Sequence, residues 1–476
     1  MTNQNILSQR YATKHINEIF SERGRAIAER ELWISVMKAQ KKLGLNIPSE
    51  DIEKFEKAKD DINLKSIERI EKDTKHDVKA KIKEFIRVSG AREHIHKGMT
   101  SRDLSDNVEQ MQIRKASDII LDKYVSILRH FGEKAREYQN IVLTARTHHQ
   151  PAQPTLLGRR FSMWAEELIN HLGGFESYLE ELPLRGIKGP IGTQFDMLTL
   201  LGNEKKVEIL ERDVAKSLGF NKTLNSIGQV YPRSLDYELI SNLALLSSAC
   251  ENFAKNIRLM AGYELLTEGF KEGQVGSSAM PHKMNTRSTE RICGFSELLK
   301  MYADGASRLL GDQWEEGDVS DSVVRRVIIP DSFYTSDGLC ETTLTVLNDM
   351  EVYPAVIDKE TDRYLPFLAT TEILMEAIKS GIGRETAHDL IKKHAVSEAL
   401  RMRQEGSKRN NLASLLANES SFAKAGITEK RINDILSDKI HFIGNAQKQI
   451  RRVCKDIDRI TSLYQIASRY EPGDIL

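Results

Sequence analysis

The sequence predicts an all-α protein, and two observations carry that prediction. Only 11 of the 476 residues are proline and 7% are aromatic, while Leu, Ile, Ala, Glu, Lys and Arg abound; this composition favours helix over sheet. Apolar residues also recur at steps of three and four over long stretches, which places them on single helical faces.

Taken in order, charged and shorter helices are expected over 1–108. Long helices are expected from about 109 to 350, broken by polar loops at 144–155, 183–197 and 267–287. The first stripe is Ile113, Ala116, Ile120, Tyr124, Ile127 and Phe131. The second is Leu157, Phe161, Trp164, Leu168 and Leu172. The third is Leu235, Leu239, Leu243, Leu246, Cys250, Phe253, Ile257 and Met260, a spacing close to the 3.5 of bundled helices. Ile240, Ala244, Leu245 and Ala249 add apolar residues on its other faces, so this helix is expected to be buried all round. Its neighbours would be helices of its own bundle or of a second subunit, and pattern alone leaves both open. After Val352-Tyr353-Pro354, a region of shorter helices follows, with Gly381, Gly383 and Gly406 marking turns. The expected division is 1–108, 109–361 and 362–476, and about 100–200 residues per domain leaves room for about three domains in 476 residues.

Composition removes several classes. Lys plus Arg and Asp plus Glu number 69 each, for a formal charge of +0, which argues against binding nucleic acid by bulk electrostatics. The chain is 40% hydrophobic and 29% charged, the balance of a folded, water-soluble protein. No apolar run nears the roughly 20 residues that span a bilayer. The segment MTNQNILSQRYATKHINEIF lacks the basic and apolar regions of an export signal. Cys250, Cys293, Cys340 and Cys454 are scattered with no CxxC, as expected of reduced thiols in a cytoplasmic protein.

The loops carry the chemistry. The segment QVGSSAMPHKMNTRSTER at 274–291 sets Gly, two Ser, Pro, His, Lys and Asn between two long helices. Gly273 and Gly276 would let it move as a lid does, and Lys283 and Asn285 could hold a developing oxyanion. Thr286, Ser288 or Thr289 could cap the following helix, with Glu290 in its first turn. On composition, a capped flexible linker is an equal reading. In TARTHHQPAQPT at 144–155, Pro151 and Pro154 would stiffen the approach to a helix capped by Thr155, fixing His148 and His149 ahead of it. One of the pair could be a general acid, although spacing alone favours a surface pair beside a helix start. Adjacent histidines point different ways and there is no HExxH, so no metal or cofactor is expected. In HIHKGMTSRDLSDN at 94–107, Thr100, Ser101 and Asp103 offer donors for a carboxylate ligand, but capping by Ser101 or Asp103 is the plainer reading. The GIKGPIGT stretch lacks the ending of a phosphate loop.

GSSAMPHKMN resembles the signature loop of the fumarase/aspartase superfamily, and THHQPAQPT and KGMTSRD are similar to its other two characteristic stretches, in the same order. Within it the chain is most similar to the adenylosuccinate lyase family. The supporting residues are Arg10-Tyr11, Lys75-His76-Asp77, Gly228-Gln229-Val230-Tyr231, Asp321-Ser322 with Arg326, and VYPAVIDKETDRYLPFLATTEILM at 352–375. The resemblance implies a three-domain helical fold whose central helices join in a homotetrameric twenty-helix core, each site being shared between subunits. It also implies anti elimination of fumarate from a succinyl nucleotide through an aci-carboxylate. In that carry-over Ser277 is the base and His148 the acid, oriented by Glu290, while Lys283 and Asn285 bind the substrate carboxylates. Thr100, Ser101 and Gln229 would hold the succinyl group. His76, with Asp77, would sit near the phosphate or the leaving side. Arg10, Tyr11, Arg291, Ser322 and Arg326 would bind the nucleotide, and Thr147, Ser278 and Met280 would complete the pocket.

Two positions depart from the family pattern. Thr286 replaces a proline after Asn285, and Gly317 stands where many members have a phosphate-binding arginine, a place that Arg325 could fill. That second departure keeps open another fumarate-releasing C–N lyase, acting on argininosuccinate, aspartate or a nitrosuccinate-like compound. An inactive structural homologue is the remaining alternative.

Overall fold

The computed structural model describes residues 5–269, 280 and 282–473, and helix dominates them. Five long helices, Ser101–Glu137, Leu157–Glu181, Ser234–Gly262, Arg287–Ser307 and Ser322–Asp349, form a bundle. Ser101–Glu137 packs on Leu157–Glu181 and Ser322–Asp349, Ser234–Gly262 packs on Leu157–Glu181 and Arg287–Ser307, and Arg287–Ser307 packs on Ser322–Asp349, which closes the ring. The stripes read from the sequence fill its centre: Ile120, Tyr124, Ile127, Phe131, Phe161, Leu168, Leu243, Leu246, Phe253 and Ile257 are all fully buried. Phe131, Phe161, Trp164 and Phe253 meet there at ring separations of 5.0–6.5 Å, geometry that adds to their area burial.

Three local expectations are corrected. The first long helix starts at Ser101 and not near 109, so the boundary expected at 108/109 falls inside a continuous helix. Thr100 stands at its N-cap, and the Asp103 carboxylate accepts the Thr100 amide at 2.8 Å, the reciprocal half of a capping box. The 144–155 segment is no loop but an antiparallel hairpin of Val142–Thr147 and Gln150–Leu156. Thr155 caps nothing; the next helix begins at Leu157 with no side-chain cap. Within one chain the Ser234–Gly262 helix leaves Leu245 and Leu259 half exposed.

Two apolar cores are present among the described residues. The larger joins the bundle to the N-terminal helices, where Trp33, Phe55 and Phe85 are buried. The smaller runs from Ile373 to Ile432 and centres on Leu412, Leu416 and Phe422. The chain then returns to the bundle: Ala446–Leu463 packs on Ser101–Glu137 and Leu157–Glu181, placing Ile450, Cys454 and Ile457 in the larger core. No described helix is long and apolar enough to cross a membrane.

Candidate active site

The helix of 37 residues that starts at Ser101 decides how the site residues are shared out, because at 1.5 Å per residue it is about 55 Å long. At its N-terminal end stand Thr100, Ser101 and Asp103. Asp103 is fully buried and accepts the amides of Thr100 at 2.8 Å, Lys188 at 2.8 Å and Gly189 at 3.0 Å, while pairing with the equally buried Arg185. A carboxylate out of water needs that many donors and a counter-charge. The nitrogen that pairs with Asp103 also donates to the Gly186 carbonyl at 3.2 Å, and the other two donate to the carbonyls of Gln229 at 2.9 Å and Gly189 at 3.2 Å. Asn107 adds two bonds to Gly186. Gly192 has to be glycine: its φ is +90°, and a Cβ there would lie 1.8 Å from the Ile227 carbonyl oxygen. The glycine-rich 186–193 stretch thus serves as a mould that holds Gln229 beside the helix start.

Other expected residues share this end. His96 lies behind Thr100, with Nδ1 accepting the Trp33 indole N–H at 3.1 Å. Burial lowers the pKa of its imidazole, which neighbouring Asp103 opposes and His76 reinforces; a neutral ring whose Nδ1 accepts a hydrogen bond carries its proton on Nε2. His76 is exposed at the N-cap of Asp77–Ser89, its Nδ1 accepting the Lys79 amide at 3.3 Å, and Asp77 beside it is exposed as well. Ser322 opens Ser322–Asp349, and Arg326 stands exposed one turn later. Arg325 does not fill the place of the absent arginine. It is buried against Asp236 at 2.6 Å, Glu109 at 2.8 Å and the Tyr231 hydroxyl. Gly317 has φ +130°, and a Cβ there would come within 2.9 Å of the Val230 side chain, so the backbone selects glycine.

At the opposite end the hairpin turns at His148 and His149, whose φ values of +50° and +61° are those of a two-residue type I′ turn. Thr147 pairs with Gln150, and one extra residue bulges between Pro151 and Pro154, where the ladder lacks N–H donors. His149 Nε2 meets the Tyr263 hydroxyl at 3.1 Å. His148 is exposed and makes no hydrogen bond or ion pair among the described residues. The helix carrying Glu290 begins at Arg287, and none of Thr286, Ser288 or Thr289 caps it. Glu268 does so from across the loop, accepting the amides of Ser288 at 2.8 Å and Thr289 at 2.9 Å. Lys283 and Glu290 are exposed, Asn285 is half-buried, and the Lys283 amide bonds to the Met280 carbonyl at 3.0 Å. Arg291 lies 5.5 Å from the Tyr11 ring, which packs edge-on against Phe295; Arg10 precedes it, exposed. Ser277 and Ser278 lie outside the described residues.

One chain therefore gathers His76, Thr100, Ser101, Gln229, Ser322 and Arg326 at one end of the bundle. It places Thr147, His148, Lys283 and Glu290 at the other. Among the described residues no cluster of His, Cys, Asp or Glu is arranged to hold a metal ion. Sequence reasoning missed Arg185, Glu268, His96 and Tyr263. Only Arg185 left a trace, as the lone arginine heading a glycine-rich stretch.

Residues 9–297 match the family model described as Lyase, and residues 366–453 match the one described as Adenylosuccinate lyase C-terminus. The chain is 34% identical over 465 residues to the adenylosuccinate lyase of Saccharomyces cerevisiae, covering 96% of this chain and 95% of that one. It is 33% identical to the adenylosuccinate lyase of Schizosaccharomyces pombe, with 98% of each covered. Among solved structures, the 3-carboxy-cis,cis-muconate lactonizing enzyme of Pseudomonas putida superposes with a TM-score of 0.81 at 19% identity, over 96% of this chain and 100% of that one. That likeness is one of fold, and it is the all-α fold expected above.

Proposed function

This chain belongs to the adenylosuccinate lyase family, and we propose that it acts as a carbon–nitrogen lyase through sites shared between copies of itself. As such a lyase it cleaves adenylosuccinate, the compound that the relatives' names state, and the products of this proposal are AMP and fumarate. Cleavage of the related succinyl-carboxamide ribotide (SAICAR, giving AICAR) is part of the same proposal. The observation that carries the reading is similarity over nearly the whole chain together with the separation of the site residues. Groups at opposite ends of a helix about 55 Å long cannot touch one small substrate, so in this reading the His148 end of one copy meets the Thr100 end of another. The half-exposed Leu245 and Leu259 on the Ser234–Gly262 helix suit burial against such a copy, in a homotetramer.

In this mechanism Ser277 removes the proton from the carbon next to a substrate carboxylate. The electron pair passes into that carboxylate as an aci form, which Lys283 and Asn285 stabilise by charge and amide donors. Collapse of the aci form makes the fumarate double bond and breaks the C–N bond, and His148 gives its proton to the departing nitrogen. Glu290 orients His148. Thr100, Ser101 and Gln229 grip the succinyl group on the mould held by Asp103 and Arg185. His76, Arg10, Tyr11, Arg291, Ser322 and Arg326 hold the nucleotide, with arginine forks suited to its phosphate. Thr147, Met280, Ser278 and Asp77 line the remainder. The four cysteines are free thiols, which supports cytoplasmic residence.

The test is fumarate release by the purified protein from adenylosuccinate, with argininosuccinate and aspartate alongside. Release from adenylosuccinate alone is expected, and Ser277→Ala should abolish it while leaving binding intact. Release from another succinyl compound only would overturn the substrate assignment. No release from any would favour an inactive homologue.

A further inference from the structure

The tip of the hairpin is held by a residue that none of the site assignments includes. Two consecutive histidines in the left-handed region cost about 1–2 kcal/mol each, and such a turn persists only where its surroundings over-determine it. The surroundings here converge on Arg146, the last residue but one before the turn. Its guanidinium lies 4.4 Å from the centre of the Tyr263 ring and 5.7 Å from that of Tyr364. One terminal nitrogen pairs with Glu360, and the other donates a long 3.4 Å hydrogen bond to the His149 carbonyl. Glu360 belongs to the helix Pro354–Leu368, so the guanidinium fastens the turn to an element outside the hairpin. The two side chains keep only 14% and 11% of their exposure, which limits competition from water. Tyr263, the ring under the guanidinium, also engages His149 Nε2 at 3.1 Å.

These contacts sort the two histidines. His149 is held by carbonyl and ring, whereas His148 is left exposed at the tip, its imidazole making no hydrogen bond or ion pair among the described residues. We propose that Arg146, clamped between Tyr263 and Tyr364 and anchored by Glu360, is a positioning residue that fixes the direction in which His148 is presented to the substrate. The inference rests on His148 being the general acid. It assigns Arg146 no contact with substrate, because the guanidinium is already committed to Glu360, the two rings and the turn.

The experiment is steady-state kinetics of the full-length purified protein on adenylosuccinate and on an analogue whose departing nitrogen is a better leaving group. The variants are Arg146→Met, Glu360→Gln, His148→Ala and the pair Arg146→Met with His148→Ala. A small misplacement of a catalytic group can cost about 100-fold, so Arg146→Met should lower kcat by roughly 10- to 100-fold with KM little changed. The loss should shrink on the better leaving group and disappear on the His148→Ala background, since nothing remains to be positioned. Glu360→Gln, which keeps the shape of the anchor, should show the same pattern more weakly, and it reads the proposal should Arg146→Met fail to fold. A rise in KM without loss of kcat, or an equal loss on the His148→Ala background, would overturn the inference and leave the acid assignment standing. Wild-type turnover by His148→Ala would instead overturn the acid assignment, and the inference with it.

Discussion

Removing the charge of Arg185 tests whether the Thr100 end of the site is moulded as described. In Arg185→Met the Asp103 carboxylate keeps its three backbone donors but loses its counter-charge, inside a site where both side chains have no exposure. Breaking a buried pair from one side costs about 3–5 kcal/mol. Asp103→Asn should cost a similar amount by another route. The amide keeps one acceptor oxygen and turns an NH2 toward backbone N–H groups, and each orphaned donor costs about 1–3 kcal/mol. With the carboxylate gone, Arg185→Met should cost less than it does alone, giving a coupling of about 1–3 kcal/mol. Urea unfolding followed by tryptophan fluorescence suits the measurement. Trp33 and Trp164 are both buried in the larger core, and the third tryptophan, Trp314, is already exposed, so the signal reports the core that holds the pair. KM for adenylosuccinate should rise in each single variant, because Gln229 and Thr100 lose their support. Single costs under about 1 kcal/mol, or additivity within about 0.5 kcal/mol, would refute the reasoning.

Three further predictions follow from other sites. Glu251 is buried, which by itself would raise its pKa, but hydrogen bonds from Lys255, Lys300 and Ser296 hold it at about 2. Its contribution is therefore present above the ordinary carboxylate range and lost as pH falls from about 5 toward 2, worth at most about 3 kcal/mol. Urea midpoints taken down to pH 3.5 should fall less in Glu251→Gln than in the parent, and parallel curves would refute this. Gly317→Ala should destabilise by about 1–2 kcal/mol, because of its positive φ and the Val230 contact. It should also raise KM, since the neighbouring Glu316 carbonyl accepts the Gln229 amide at 2.6 Å; an unchanged midpoint and KM would count against it. Arg326→Ala should raise KM far more for the phosphorylated substrate than for its dephosphorylated analogue, and equal effects would remove the phosphate role.

The bundle was legible because each long helix buries a stripe at helical spacing, and Tyr124, Phe161 and Phe253 lie where that spacing put them. The hairpin was not legible. Two prolines and a bulge interrupt the alternation that marks a strand, so Val142–Thr147 reads as loop beside them. Nor were the caps and charges, whose partners are distant in sequence. Glu268 caps a helix 20 residues away, and Arg325 is committed to Asp236, 89 positions before it. The start of the first long helix was placed too late because Thr100, Ser101 and Asp103 look like loop residues until the carboxylate is seen to accept the Thr100 amide. The candidate site residues come from their motifs, but their division between two ends of a helix appears only once that helix is measured.

The central claim is that one site takes its His148 end and its Thr100 end from different copies of the chain. Co-expression of His148→Ala with Gln229→Leu, each first shown to be inactive alone, tests it most directly. A shared site predicts recovery of about a quarter of wild-type turnover in mixed assemblies, because some interfaces pair two unaltered ends. Mixed assemblies that form but show no turnover above either variant would contradict it.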